Sequence, residues 1–466
     1  MTVLFALGAC ADYAKPSVSL YEAGDYAGAA HAADSGLAAH PDDDALWAMR
    51  VRSALAVGDA AGVAKAYAAY VAHRGDDDAS LLHGLALATL DQALASPSAK
   101  LKMIAIETIE RLELQPLADA VANALGDGDD RVAATAAIAV LRAYPQAPQV
   151  ADAMLKSENP EARRIVITGL ARKAGAIVDS ELETAANDPD ARVRRAAITG
   201  LGTLGDKNAV ALLARHLGDP DESVRASAAS SLAQIGIGDL AAFAKTALAD
   251  KSVAVRVGGV ELLGAAEQRD PLTALTNDPE PIVALQAVIE IEELGAPMGK
   301  HGREHVAPHT GAGDAVARRA LGSPSWEVRA GLANMLDQVV AKDTARALAE
   351  QLSKDPDPRV ALAAARVLER AGGRDEAIAV FRAQLAGAEA TEAAADLAAL
   401  DGDPDALAKL DALVRDPSRT PEQRAAAVDA HRTARHITPG LVAALADVNG
   451  IVRVEAASVL AGLARD

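Results

Sequence analysis

Cysteine and aromatic residues are scarce in this sequence. Its one cysteine in 466 residues, Cys10, excludes an internal disulfide and any zinc or haem site built from several cysteines. Three phenylalanines, two tryptophans and six tyrosines leave little for a ring-filled core or for a platform that stacks nucleobases. Basic charge is also in deficit. With 46 basic against 65 acidic residues the formal charge is −19, so the mean field repels a phosphate backbone and no nucleic-acid partner is expected. No block of Lys and Arg with interleaved aromatics offsets that field locally. Uncharged apolar runs stay short of the roughly 18 residues a transmembrane helix needs, so no transmembrane span is expected. Glycine-rich phosphate loops, G-x-S-x-G elbows, kinase signatures and calcium loops are absent as well.

What is present is monotony: Ala, Leu, Val, Asp and Arg recur along a chain too long for one core. Such a chain buries its apolar surface between neighbouring units, as a repeat array does. Two periods are visible. Gly24-Asp25-Tyr26 returns as Gly58-Asp59-Ala60, 34 residues on, with Ala29-Ala30, Pro41 and Trp47 at the matching helix-packing, closing and next-repeat positions. Over about 18–74 these residues resemble a pair of TPR units, although Gly75 stands where a second closing proline is expected. The resemblance implies a peptide groove lined by the first helix of each unit, which makes Trp47 and Arg50 candidate binding residues.

Further along the period shortens. Asp188-Pro189-Asp190-Ala191-Arg192-Val193-Arg194 returns as Asp219-Pro220-Asp221-Glu222-Ser223-Val224-Arg225, and Val255-Arg256 follows, a period of 31 residues. Further copies stand at Val132, Ala162-Arg163, Val283, Val328-Arg329, Val360 and Val452-Arg453. In one unit, Val224, Ala228, Leu232 and Ile235 share a helix face, Gly236 ends the helix, and Asp219, Pro220 and Glu222 are expected to start it. Val210, Leu213 and Leu217 supply the antiparallel partner helix. This pattern resembles a HEAT repeat, particularly the short kind named after phycobilisome lyases, over most of 95–466. The resemblance implies an all-α fold, a right-handed α-α superhelix (alpha solenoid) of stacked antiparallel helical hairpins. It lies in packing residues, so lyase activity is not implied.

Between Val283 and Val328 the spacing is 45 residues, which places an insertion near 296–313. Its His301-x-x-Glu304-His305 matches the inverzincin pattern and His309 adds a third imidazole, so His301, His305 and His309 are candidate metal ligands. Gly302 and Pro308 argue against the helix that would align them. HEAT-type deoxyhypusine hydroxylases place His-Glu pairs on successive repeats, and this sequence contains no His-Glu dipeptide. Arg194, Arg225 and Arg256 form part of a row at one repeat position. They are candidates for recognising carboxylate-rich partners; the favoured reading, which the HEAT-repeat resemblance implies, is that each pairs with an aspartate of the same or adjoining turn and pins the stacking. The runs Asp42-Asp43-Asp44 and Asp76-Asp77-Asp78 are expected to be turn and helix-start carboxylates.

Leu7-Gly8-Ala9-Cys10 resembles the lipobox of bacterial lipoproteins, in which the cysteine is acylated. No Lys or Arg precedes it, so either the natural start lies upstream of Met1 or the match is fortuitous and Cys10 is a free thiol. The chain thus divides into a signal-like segment and linker (1–17), TPR-like repeats (18–94), HEAT repeats (95–295), an insertion (296–313) and partly degenerate HEAT repeats (314–466). The expected function is a non-catalytic scaffold for a protein or peptide partner, without a cofactor. Its expected location is the cell envelope if Cys10 is lipidated, otherwise the cytoplasm. A metal-binding protein or metal-dependent enzyme using the His301–His309 insertion is the alternative.

Overall fold

Two successive repeats in the middle of the chain begin their second helix at an aspartate. Asp190 accepts the Arg192 amide at 2.9 Å and starts Ala191–Leu204; Asp221 accepts those of Ser223 and Val224 and starts Glu222–Ile235. Gly236, at φ 69°, then ends the latter helix in the left-handed conformation that glycine adopts without strain. The cap therefore lies two residues beyond the Asp219-Pro220 expected from the sequence, and Pro220 is outside the helix. Asp219 is committed elsewhere: it accepts the Asp221 amide at 2.9 Å and the guanidinium of Arg194.

The computed structural model describes residues 13–144, 148–173, 179–295, 298–299, 302–303 and 311–464. Among these, every regular element is helical apart from a two-residue antiparallel pair, Met298–Gly299 with Gly302–Arg303. The fold is an all-helical solenoid of stacked hairpins. The chain forms two compact units, one of Ala124–Ala388 and one that joins Met1–Asn123 to Glu389–Asp466.

In the Ala124–Ala388 unit the second helices form a continuous row. Asp130–Ala143, Pro160–Lys173, Ala191–Leu204, Glu222–Ile235, Val253–Ala265, Pro281–Gly295, Trp326–Val339 and Pro358–Arg370 each pack on the next. Shorter first helices, such as Val210–His216 and Leu240–Leu248, cover one side of that row. Val193, Val224, Val255 and Val283 are buried at the start of successive helices, and Leu201, Leu232 and Leu263 near their ends. They belong to one apolar cluster running from Ala134 to Ile291, with no ring among its buried members. Alanine and glycine let the backbones approach closely enough for this core to close without bulky fillers.

The other unit is built from both ends of the sequence. Lys15–Glu22, Tyr26–Ala39, Asp44–Val57 and Ala60–Arg74 form two hairpins, followed by Ala79–Leu94 and Ala99–Arg111. Gly58, at φ 78°, separates the third and fourth helices, and Asp59 caps the latter through the Gly62 amide at 2.9 Å. From the other end, Gly450–Leu463 packs on both Pro421–Ala434 and Ala79–Leu94. Ser458 lies within 2.7 Å of the Thr108 hydroxyl and accepts from Arg111 at 2.8 Å, and Arg432 donates to it at 2.7 Å. Gly450 permits the approach, since a Cβ there would stand 2.6 Å from a Leu101 methyl.

Candidate functional site

Most side chains singled out from the sequence are occupied by their own chain. Trp47 donates its indole N–H to the Pro41 carbonyl at 2.8 Å and stacks on Tyr70 and His73. Arg50 donates to Asp34 at 2.7 Å. Of the acidic runs, Asp43 and Asp78 cap helices, Asp77 accepts the Tyr67 hydroxyl, and Arg74 gathers Asp44, Asp76 and Asp78. Burial, and then the bonded carboxylates, raise the Tyr67 and Tyr70 phenols well above the ordinary range.

The arginine row forms an internal ladder. Arg194 makes a bidentate pair with Asp219 of the next repeat at 2.8–2.9 Å and also donates to the Asp188 carbonyl of its own turn at 3.0 Å. Arg225 does the same with Asp250 and the Asp219 carbonyl, and Arg163 and Arg329 repeat the arrangement with Asp188 and Asp355. Hydrogen bonds from the arginines hold Asp250 and Asp355 below the usual carboxylate range. Burial works to raise Asp219, but the bonds from Arg194, the Asp221 amide and His216 outweigh it and lower it too. Arg256 departs from the ladder. Among the described residues it donates to the Asp250 and Lys251 carbonyls alone, at 3.2–3.3 Å, and its unit is the shorter one, with Val283 following Val255 by 28 residues instead of 31.

Cys10, His301, His305 and His309 lie outside the described residues, among which no cluster of three or more metal-ligating side chains occurs. A Thr–His–Asp set does exist at His431, which is fully buried. Its Nδ1 faces the Ala427 carbonyl at 3.0 Å, and its Nε2 lies 3.3 Å from the Thr438 hydroxyl. That hydroxyl donates to Asp411 at 2.5 Å and accepts the Leu441 amide at 3.1 Å. The set anchors a helix start; its hydroxyl proton goes to the carboxylate and not to the imidazole, so it does not present an activated nucleophile.

An open surface remains on the row of second helices. On Glu222–Ile235 the core takes Val224, Ala228 and Leu232, which leaves Ala226, Ser227, Ser230 and Gln234 on the opposite face. With Val253, Ala254, Val257 and Ile282 from the next two helices they line a groove of about 700 Å³. Past Ser230 and Gln234, which both compartments share, it continues into a space of about 550 Å³ that includes Glu261, Gln286, Glu290 and Glu293. Burial raises the Glu261 carboxyl, against an opposing hydrogen bond from Ser230. Burial likewise pushes Glu290 up to about 7, opposed by the 2.9 Å bond from Gln286 and reinforced by Glu293 and Glu261. Gly264 makes room for this carboxylate, because a Cβ there would stand 1.8 Å from Glu290 Oε2.

The repeat pattern held a signal for this surface that a search for motifs passes over. Six residues after Val193, Val224 and Val255 stand Thr199, Ser230 and Glu261, one column in which a carboxylate replaces small hydroxyls.

Sequence comparison bears on the same helices. The family model described as HEAT repeats matches residues 147–233, 179–264 and 314–396. The chain contains HEAT repeats. The groove's first two helices, apart from Ala265, and the Arg194 and Arg225 rungs fall inside the first two HEAT matches. Among curated proteins none matches the sequence. Solved structures with partial likeness include the complex of CpcE and CpcF of phycocyanin lyase from Nostoc sp. PCC7120. That likeness has 20% identity and TM-score 0.33, over 50% of this chain and 92% of that one. Another is Kap121p, at 15% identity and TM-score 0.37, over 85% of this chain and 49% of that one. A third is the karyopherin Kap121p bound to the SUMO protease Ulp1p, at 12% identity and TM-score 0.33, over 91% and 54%. This chain spans about half the length of Kap121p in both.

Proposed function

We propose that the protein is a non-catalytic scaffold, and that the groove across Glu222–Ile235, Val253–Ala265 and Pro281–Gly295 seats a segment of a protein partner. The observation that carries this reading is a groove across three consecutive second helices, left uncovered by the described residues, with an apolar floor at Val253, Val257 and Ile282. Grooves that mix apolar lining with a few placed polar groups are the usual form of a recognition surface. The ladder arginines and Trp47 hold the frame instead of facing the partner.

Affinity capture with three forms of the tagged protein tests it. A protein recovered with the parent chain is expected to be lost from Ser230→Trp, which fills the groove, and from Val257→Arg, which charges its floor. Recovery of the same set from all three forms would sink the groove as the docking surface.

We also propose attachment to a bacterial envelope through acylated Cys10. Mass spectrometry of the native protein's N-terminus is expected to find a diacylglyceryl group there, and an unmodified Cys10 would refute it. Metal held by His301, His305 and His309 is the remaining proposal for the insertion. Metal analysis of the purified protein beside its triple alanine variant decides it, and equal, negligible content in both would refute it.

A further inference from the structure

We infer that the partner segment docked in this groove is basic, with a lysine or arginine seated between Glu261 and Glu290 and its aliphatic neighbours on the Val253–Val257–Ile282 floor. The inference rests on the scaffold reading above and specifies its partner. Two contrasts inside one unit carry it. At the four intact rungs of the ladder, a part-buried aspartate is neutralised by an arginine of the preceding repeat. At the groove's acidic end, the groups that act among the described residues are Ser230 on Glu261, and Gln286, Glu293 and Glu261 on Glu290, with no cation among them. Neighbouring carboxylates without a counter-charge among the described residues favour an incoming guanidinium or ammonium, which supplies that pairing.

The second contrast is steric. Gly264 gives up a side chain where the Glu290 carboxylate comes to rest, so this acid lies across the helix surface at the groove instead of projecting into bulk water. The apolar compartment next to it shares Ser230 and Gln234 with the acidic one, so a single segment reaches both. Such a segment carries a basic residue a few positions from an aliphatic one. Its lysine or arginine supplies charge recognition, and the aliphatic side chain supplies burial.

The test uses the full chain and a set of fluorescein-labelled nine-residue peptides, each holding one lysine beside leucine and alanine. Matched peptides carry Nε-acetyl-lysine, norleucine or glutamate in place of the lysine. Binding is read by anisotropy at two salt concentrations. The lysine peptides are expected to bind, to weaken at high salt, and to lose at least about tenfold in affinity against Glu261→Gln/Glu290→Gln. Glutamine is isosteric and removes a repulsion, so that variant is expected to fold at least as well as the parent. Gly264→Ala, which displaces the Glu290 carboxylate, is expected to weaken the same peptides. Equal binding of the norleucine peptides, blocked by Ser230→Trp, would overturn the basic partner while leaving the groove as the docking surface. Failure of every lysine peptide to bind at about 1 mM would also overturn it. The scaffold reading fails separately, when groove variants leave partner capture unchanged.

Discussion

At the scale of single residues, two arginines at the same repeat position do different work. Arg225 has a bidentate partner in Asp250, with both side chains mostly shielded, whereas among the described residues Arg256 has two backbone carbonyls and no carboxylate. Arg225→Ala is therefore expected to cost about 1–3 kcal/mol, since it strands a part-buried carboxylate, and chemical denaturation measures it. Arg256→Ala is expected to cost about 0.5 kcal/mol or less. Equal losses at the two sites would show that the ladder pair adds nothing. Glu290 carries the opposite sign. Its carboxyl is raised from 4.5 to about 7, so the folded state holds the proton more tightly than the unfolded chain. That preference leaves stability unaffected below about pH 4.5, erodes it as pH rises towards 7, and costs up to about 3 kcal/mol above that. Glu290→Gln is expected to raise the melting temperature at pH 8 and leave it nearly unchanged at pH 4. A lower melting temperature at pH 8 would mean that the carboxylate is stabilised by something in its own chain.

At the scale of the helical element, the repeat was legible because Val193, Val224 and Val255 recur at a fixed step and mark the buried stripe directly. Helix starts were less so. Asp219-Pro220-Asp221 offers two aspartates, and only the ladder shows why the second one caps: the first is claimed by Arg194 of the preceding repeat. A local propensity argument does not contain that long-range competition. The groove was missed for a related reason. Glu261 reads as one more exposed helix charge until Glu290, 29 positions away, is placed beside it. The ladder has a consequence in acid. Asp219, Asp250 and Asp355 titrate below their ordinary value of 3.8 when folded, so their contribution is present above about pH 4 and lost as pH falls below it. Helicity followed by circular dichroism is expected to fall cooperatively in that window, and Asp250→Asn is expected to bring the transition to higher pH. An unshifted transition in that variant would exclude the rung from acid unfolding.

At the scale of the whole molecule, the unexpected feature is a unit assembled from both ends of the sequence. Repeat periodicity specifies each hairpin's neighbours but not where the last hairpin arrives, so Gly450–Leu463 lying on Ala79–Leu94 was not readable from any single repeat. The Ser458 network with Thr108, Arg111 and Arg432 makes this contact specific. Deleting residues from 447 onward is expected to strip hydrogen-exchange protection from Ala79–Leu94 and Ala99–Arg111, over 300 positions earlier in the chain. Unchanged protection there would show that the N-terminal hairpins stand without the last helix.

The central claim, that the uncovered faces of the HEAT helices seat a protein partner, is tested most directly by photo-crosslinking in the native cell. A benzophenone amino acid is placed at Val257 in the groove, and at exposed Lys245 on the first helix of the same repeat as the control. The account predicts a discrete crosslinked partner from Val257 and none from Lys245. The same adduct from both positions, or from Lys245 alone, would contradict it.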